Sequence, residues 1–126
     1  MTSSHTSSEL WDSLVKRQAD AEPLWVSESM SESMFQHEVV RFASQQGWLV
    51  HYDIPAHRHG MLRTQSGGDN GYPDLTLARN GVVLHVELKA QAGSFQANQK
   101  EWRDAIGASW RGWKPRDFAE IARTLE

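Results

Sequence analysis

The feature that most constrains the fold is a pair of short apolar runs around Asn80-Gly81, in the sequence GYPDLTLARNGVVLHVELK at residues 71–89. Asn-Gly is the strongest short hairpin signal, because a type I′ turn needs a positive φ at both central residues. Counting back along both strands from this turn places Asp74 opposite Glu87. Directly opposed carboxylates destabilise a sheet, so this register requires something that offsets their repulsion.

The two strands are predicted to have one apolar face and one polar face, because successive residues of a strand point to opposite sides. The apolar, core-facing set is Leu75, Leu77, Val82, Leu84, Val86 and Leu88. The polar set is Asp74, Thr76, Val83, His85, Glu87 and Lys89. At one end of the polar face, Asp74 and Glu87 lie roughly 5 Å apart between Cβ atoms, with Lys89 two residues further along.

Two acids and a lysine in this arrangement suit phosphodiester hydrolysis. Mg²⁺ is commonly bound by one or two carboxylates together with phosphate oxygens, so Asp74 and Glu87 are candidate metal ligands. A bound ion would cancel the repulsion between them and lower the pKa of a bound water. Lys89 would orient that water or stabilise negative charge developing on phosphorus. The simpler alternative is a strand end with an exposed Glu–Lys ion pair.

Two further polar residues border the apolar stripes of predicted helices. The first helix is predicted to start at Ser33 as its N-cap, and Glu38 lies beside its apolar stripe. The second is predicted to start at Ser94 as its N-cap, and Gln99 lies on its stripe. Polar groups on buried faces are costly without partners, so both side chains are expected to reach the metal, its waters or a nucleic acid. Alternatively, Glu38 lies at a solvated edge and Gln99 bonds a neighbouring backbone group.

The order of predicted elements is helix, three strands, helix, strand, helix. This order predicts an α/β domain with a mixed sheet of about four strands flanked by helices. Residues 55–72 have no periodicity and are predicted to form a long loop, which is uncommon unless functional or mobile. Residues 1–30 are predicted to be a Ser/Glu-rich arm that includes one short helix, and residues 31–126 the folded domain.

Composition adds bounds rather than a function. A chain of 126 residues is expected to form one domain, and the absence of cysteine excludes disulfides and thiolate metal sites. No apolar run approaches the ~20 residues of a membrane span and no signal peptide is recognisable, so no membrane partner and a cytoplasmic location are expected. Residues 35–126 carry ten acidic and eleven basic residues. That balance is compatible with a phosphate backbone as partner.

Several basic and aromatic side chains are candidates for nucleic-acid contact. The basic candidates are His57, Arg58, His59, Arg63, Lys100, Arg111 and Lys114. The pair His57-x-His59 could instead be half of a zinc site or part of a plain loop. Trp110 and Trp113 could be core residues or could stack on splayed bases.

The runs GYPDLTL and HVELKAQAG together resemble the PD-(D/E)xK nuclease superfamily, with Pro73-Asp74 as its PD and Glu87-Leu88-Lys89 as its ExK. The resemblance covers residues 30–126 and is strongest to the VRR-NUC branch, whose members are often small phage-encoded proteins. Further matching features are the helical acid Glu38, a strand that opens on Gly47-Trp48, the spaced residues Gly93, Gln99 and Trp102, and the run WKPRDF at residues 113–118.

The resemblance implies a restriction-endonuclease-like core and a DNA endonuclease that depends on Mg²⁺ or Mn²⁺. By this resemblance Glu38, Asp74 and Glu87 hold the metal, Lys89 assists the attacking water, and Gln99 positions a water or phosphate. Stand-alone members resemble Holliday junction resolvases that act on branched DNA as homodimers. The sequence AHRHGMLRTQSGGDN departs from the simplest pattern, which bears on substrate choice. The rival hypothesis is a nucleic-acid-binding subunit of the same fold whose turnover is lost or supplied by a partner.

Overall fold

The computed structural model describes residues 22–54, 56–58, 61–63 and 67–126, with side chains described for the first and last of these ranges. Within them the chain forms an α/β structure with a four-stranded mixed sheet, a separate two-stranded hairpin and three α-helices. The elements are α1 Glu32–Gln45, β1 Leu49–Tyr52, β2 Ala56–Arg58, β3 Met61–Arg63, β4 Leu75–Arg79, β5 Val82–Leu88, α2 Ala97–Ile106, β6 Trp110–Trp113 and α3 Phe118–Leu125. None of the helices in these ranges combines the length and apolar character that a membrane crossing requires.

The main sheet has the strand order β1-β4-β5-β6. Strands β1, β4 and β5 are antiparallel neighbours, and β6 runs parallel to β5. The connection between β5 and β6 contains α2, as a parallel pair requires a crossover. The predicted α/β class and the mixed sheet of four strands are confirmed.

The predicted hairpin register is confirmed pair by pair, from Arg79 with Val82 to Leu75 with Val86. Asn80 has a φ of 50° and Gly81 a φ of 80°. These are the two positive values that a type I′ turn needs, so the turn residues determine which side chains share a face.

The core lies on one face of the sheet. Leu75, Leu77, Val86 and Leu88 are fully buried there, as predicted, and Leu84 is nearly so. They form one cluster with side chains of α1 and α3, namely Phe35, Val39, Phe42, Ala43, Ile121 and Leu125. Val82 was also predicted to be a core residue but is 50% exposed, because it adjoins the turn where the sheet ends.

The prediction of an unstructured loop over residues 55–72 is wrong in part. Strands β2 and β3 lie within it and pair antiparallel. Each has three residues, too few for a period-two pattern to be recognised in the sequence.

Both helices next to the site begin at residues other than those predicted. Helix α1 is capped by Ser31, whose Oγ accepts a hydrogen bond from the Met34 N–H at 3.2 Å, and not by Ser33. Helix α2 has Gln96 rather than Ser94 as its N-cap, and the Gln96 backbone N–H donates to Gln99 Oε1 at 2.8 Å. Glutamine is not among the preferred N-cap residues, which explains why the sequence favoured the serine.

Residues 22–30, predicted to belong to the arm, lie against the domain. Met30 is 6% exposed and belongs to the core cluster, and Leu24 and Val26 pack against it. Glu38 on α1 accepts a hydrogen bond from the Trp25 N–H at 2.8 Å. The rest of the predicted arm, residues 1–21, lies outside the described residues.

Candidate metal and catalytic site

The candidate site lies where β5 ends and β4 begins. Asp74 directly precedes β4, and its Oδ2 accepts a hydrogen bond from the Leu88 N–H at 2.9 Å. The carboxylate thus supplies an acceptor to the last residue of β5. This bond holds Asp74 one residue beyond the pairing of Leu75 with Val86, at the position where the register, continued by one residue, places it opposite Glu87.

Glu87 is the most unusual residue of the site because it is a carboxyl group only 2% exposed. Its Oε2 accepts a hydrogen bond from Gln99 Nε2 at 3.0 Å. Its Oε1 is buried and has no hydrogen-bond partner. A buried carboxylate oxygen without a hydrogen-bond partner costs free energy of folding. The fold nevertheless keeps this unsatisfied acceptor beside Asp74.

The pKa of Glu87 reflects this environment. Burial is the main cause that raises the pKa of Glu87 to about 9. A hydrogen bond that Glu87 and Asp74 can share only when one of them is protonated, and the negative charge of Asp74, raise the pKa further, while Lys89 opposes the shift. Without a cation, Glu87 is therefore protonated at neutral pH. A divalent ion between the two acids would replace that proton.

Lys89 and Glu32 complete the charged surroundings. The Lys89 backbone N–H donates to the Trp113 carbonyl at 3.1 Å, which continues the pairing of β5 with β6 beyond Leu88. Partial burial and the charge of Asp74 raise the pKa of Glu32, while Lys89 lowers it. Lys89 thus lowers the pKa of both Glu32 and Glu87, and its ammonium group brings positive charge to the site.

The side chain of Glu38 is engaged in other contacts, which do not favour it as a metal ligand, and its assignment as a ligand stays a prediction. Its carboxylate forms an ion pair with Arg41 on the same helix and accepts the N–H of Trp25. Burial alone would raise the pKa of Glu38, but these hydrogen bonds hold it below the usual value. Arg41 also donates to the Pro23 carbonyl at 2.9 Å. Glu38 therefore ties residues 22–30 to α1.

Glu32, in the first turn of α1, is an exposed acid whose charge acts on Glu87 and is in turn affected by Asp74, and it was not among the predicted site residues. The sequence carries only a partial signal for this acid, because Glu32 precedes Phe35 by three residues and Val39 by seven. These intervals place Glu32 on the same helical face as the two core residues.

Gln99 bonds a neighbouring backbone group, which is one of its two predicted alternatives, and its contact with a metal, a water or a nucleic acid stays a prediction. Its Oε1 accepts a hydrogen bond from the Gln96 backbone N–H at 2.8 Å, and its Nε2 donates to Glu87. It therefore contacts a metal-ligand candidate directly, instead of through a water or phosphate. The amide orients Glu87 and leaves Oε1 as the free oxygen.

The residues present fit a divalent ion of the magnesium type. Among the residues that the structure describes, no three histidine, aspartate or glutamate side chains are gathered closely enough to hold one ion. Mg²⁺ keeps several waters and is usually bound by one or two protein carboxylates plus substrate phosphates, so the pair of Asp74 and Glu87 is sufficient. The unpartnered Oε1 of Glu87 is the observation that favours this fit.

The candidate nucleic-acid contacts are only partly described. The backbones of His57, Arg58 and Arg63 lie in β2 and β3. The side chains of these three residues, and His59 entirely, lie outside the described residues, as does the alternative zinc pair.

The basic candidates near α2 and β6 are described in full. Lys100 is exposed, and Arg111 donates to the carbonyls of Ala108 and Trp110. The ammonium group of Lys114 lies 6.0 Å from the centre of the Phe95 ring.

The two tryptophans considered for base stacking pack against other side chains of the protein. Trp113 is fully buried and donates to Glu120 at 3.1 Å, which excludes its stacking on a base. Trp110 packs edge-on against Phe95 with the ring centres 5.7 Å apart. Neither residue supports base stacking.

A cleft of about 790 Å³ adjoins the acids, lined by the start of α1, residues 67–74 and Trp102. Comparisons of the chain with protein-family models, curated proteins and solved structures find no match. The functional argument therefore depends on this geometry and on the sequence pattern.

Proposed function

We propose that the protein is a nuclease with a restriction-endonuclease-like core that hydrolyses phosphodiester bonds in DNA with Mg²⁺ or Mn²⁺. The observation that carries the proposal is the buried, unpartnered Oε1 of Glu87 beside the carboxylate of Asp74. Two close carboxyl groups with little access to water destabilise the fold when both are ionised. Binding a cation is the simplest function that offsets this cost.

Each residue of the site has a role in this proposal. Asp74 and Glu87 would hold the ion, and the exposed Glu32 adds negative charge near them. When bound, the ion polarises a phosphodiester and lowers the pKa of a bound water. Lys89 stabilises the negative charge that develops on phosphorus. Gln99 holds Glu87 in place through the bond between Nε2 and Oε2.

Preference for branched DNA and a homodimeric state belong to the proposal through the sequence resemblance alone. The substrate panel must therefore include linear duplex, single-stranded DNA, RNA and a four-way junction. Mass measurement in solution tests the dimer.

The decisive experiment compares cleavage with Mg²⁺ and with EDTA for the wild type, Asp74→Asn and Glu87→Gln. Both substitutions keep shape and remove charge, so each should lower the cleavage rate about a hundredfold or more, because several kcal/mol of transition-state stabilisation depend on the ion. The matched control is Glu101→Gln, an exposed acid on α2 that should keep the wild-type rate. Undiminished cleavage by both site variants, or no Mg²⁺-dependent product from any substrate, would refute the proposal.

One observation favours the rival function of a nucleic-acid-binding subunit without its own turnover. In the described parts of the chain, no group of three or more histidine, aspartate or glutamate side chains could hold a metal ion. This rival predicts that the protein binds DNA in EDTA and yields no product with Mg²⁺, with Asp74→Asn binding as well as the wild type.

A further inference from the structure

The cleft beside the acids is large enough for part of a substrate. Its volume of about 790 Å³ lies within the range of small-ligand sites. Asp74 lines it, so the cleft opens onto the candidate metal site. When a phosphate of the substrate is bound at Asp74 and Glu87, the part of the substrate that enters the cleft is the part next to that phosphate.

An aromatic ring forms part of the cleft wall. Tyr72 is 47% exposed although both neighbours in the chain, Gly71 and Pro73, are more buried. Its ring meets Trp102 edge-on, with the ring centres 5.0 Å apart and an interplanar angle of 89°. The ring also lies 6.0 Å from that of His85, so two neighbouring rings hold Tyr72 while nearly half of its surface stays exposed for stacking.

The segment that carries Tyr72 is held in place against α2. The indole N–H of Trp102 donates to the Asn70 carbonyl at 3.0 Å. Gly71 has a φ of 93°, and a Cβ there would lie 2.7 Å from the backbone of Asn98. Only glycine permits this close approach, so the position of Tyr72 relative to the acids is determined by the fold.

The charge of the cleft selects the kind of occupant. Its described lining includes the acids Glu32, Asp53, Asp69 and Asp74, and among the described lining residues there is no lysine or arginine. Carboxylates repel phosphate oxygens but accept hydrogen bonds from the amino groups of adenine, cytosine and guanine. This lining therefore suits a nucleobase and disfavours the sugar–phosphate backbone.

We propose that the cleft accepts one unpaired, amino-bearing nucleobase next to the scissile phosphate, stacked on Tyr72. This inference rests on the proposed function, because only a phosphate bound at Asp74 and Glu87 would bring a base to the cleft. A base inside a duplex is stacked on both faces and paired along one edge, so it cannot enter the cleft. The cleft therefore restricts the substrate to single-stranded or locally unpaired DNA.

The binding test needs no catalysis. Flap DNA with 2-aminopurine at the unpaired position is titrated with the full chain in the presence of Ca²⁺, which carboxylates and phosphate oxygens also bind. The fluorescence of this base falls on stacking. The wild type should quench it and should bind an otherwise identical abasic flap about tenfold more weakly, the order of effect for one stacked base. Tyr72→Ala should abolish both the quenching and the discrimination, and Tyr72→Phe should keep them. Phe118→Ala removes an exposed ring from α3 and serves as the matched control.

The cleavage test distinguishes the two proposals. With Mg²⁺, the wild type should cut the flap at least tenfold faster than the abasic flap or a fully paired duplex, and thymine at that position should be cut more slowly than cytosine. Equal rates on the flap, abasic and duplex substrates, or no quenching by the wild type, would overturn the base site while leaving the nuclease intact. Quenching that depends on Tyr72, with no product from any substrate, would support the base site and refute the nuclease.

Discussion

Glu87→Gln should remove a specific pH dependence from the stability of the metal-free protein. The pKa of Glu87 is raised to about 9 in the folded chain, from an ordinary value of 4.5. Between these values the folded state holds a proton that the unfolded state has lost, so the free energy of unfolding falls as pH rises. The fall amounts to about 1.4 kcal/mol per pH unit for one proton, or roughly 3 kcal/mol between pH 6 and pH 8.

Glutamine has nearly the shape of the protonated glutamic acid, and its side chain cannot ionise. Urea unfolding in EDTA at pH 6, 7 and 8 should therefore show a steeper loss of stability in the wild type than in the variant, at an unchanged m value. Subtracting the variant removes the contributions of other titrating groups. Glu101→Gln, an exposed acid, should follow the wild type.

A divalent ion should reverse the difference. Because Mg²⁺ binds the ionised carboxylates, saturating ion should stabilise the wild type most at the higher pH and should leave Glu87→Gln less affected. Parallel pH profiles for the two proteins in EDTA would refute the assignment of Glu87 as the buried, proton-holding acid. A wild type that gains stability relative to the variant as pH rises in EDTA would refute it equally.

Three further predictions concern contacts around the site. Gln99→Ala should weaken Mg²⁺ binding about tenfold in calorimetry, because it removes the amide that orients Glu87; unchanged affinity would contradict this role. Arg41→Ala should cost about 2 kcal/mol of stability in urea, since Glu38 loses its ion pair, while Mg²⁺ affinity stays at the wild-type value; a loss of Mg²⁺ affinity would return Glu38 to the site. Gly81→Ala should cost about 1 kcal/mol through its φ of 80° alone, because no atom lies near the added methyl; an unshifted urea midpoint would argue against the turn type.

The hairpin could be predicted from the sequence because its geometry is local. Asn80-Gly81 determines the turn, the turn determines the register, and the register brings Asp74 opposite Glu87. The face on which Glu87 lies follows from the same count. No distant contact was needed to predict this part of the site.

Which acid of α1 lies near this pair could not be predicted in the same way. Glu32 and Glu38 both border the apolar stripe of α1, and local spacing does not tell which end of the helix lies beside β4. That choice depends on the packing of α1 across the sheet and on Arg41, which binds Glu38. Strands β2 and β3 escaped prediction because pairing between three-residue segments leaves no periodic signal in the sequence.

The double hydrogen bond of Gln99 has a consequence for how α2 responds to the site. One end of this amide accepts the Gln96 N–H at the start of the helix, and the other end donates to Glu87. Any event that reorients Glu87 therefore also alters the bond that closes the first turn of α2. Amide hydrogen exchange at Gln96 should become slower when the ion binds. Exchange at the start of α2 would therefore report whether the metal site is occupied.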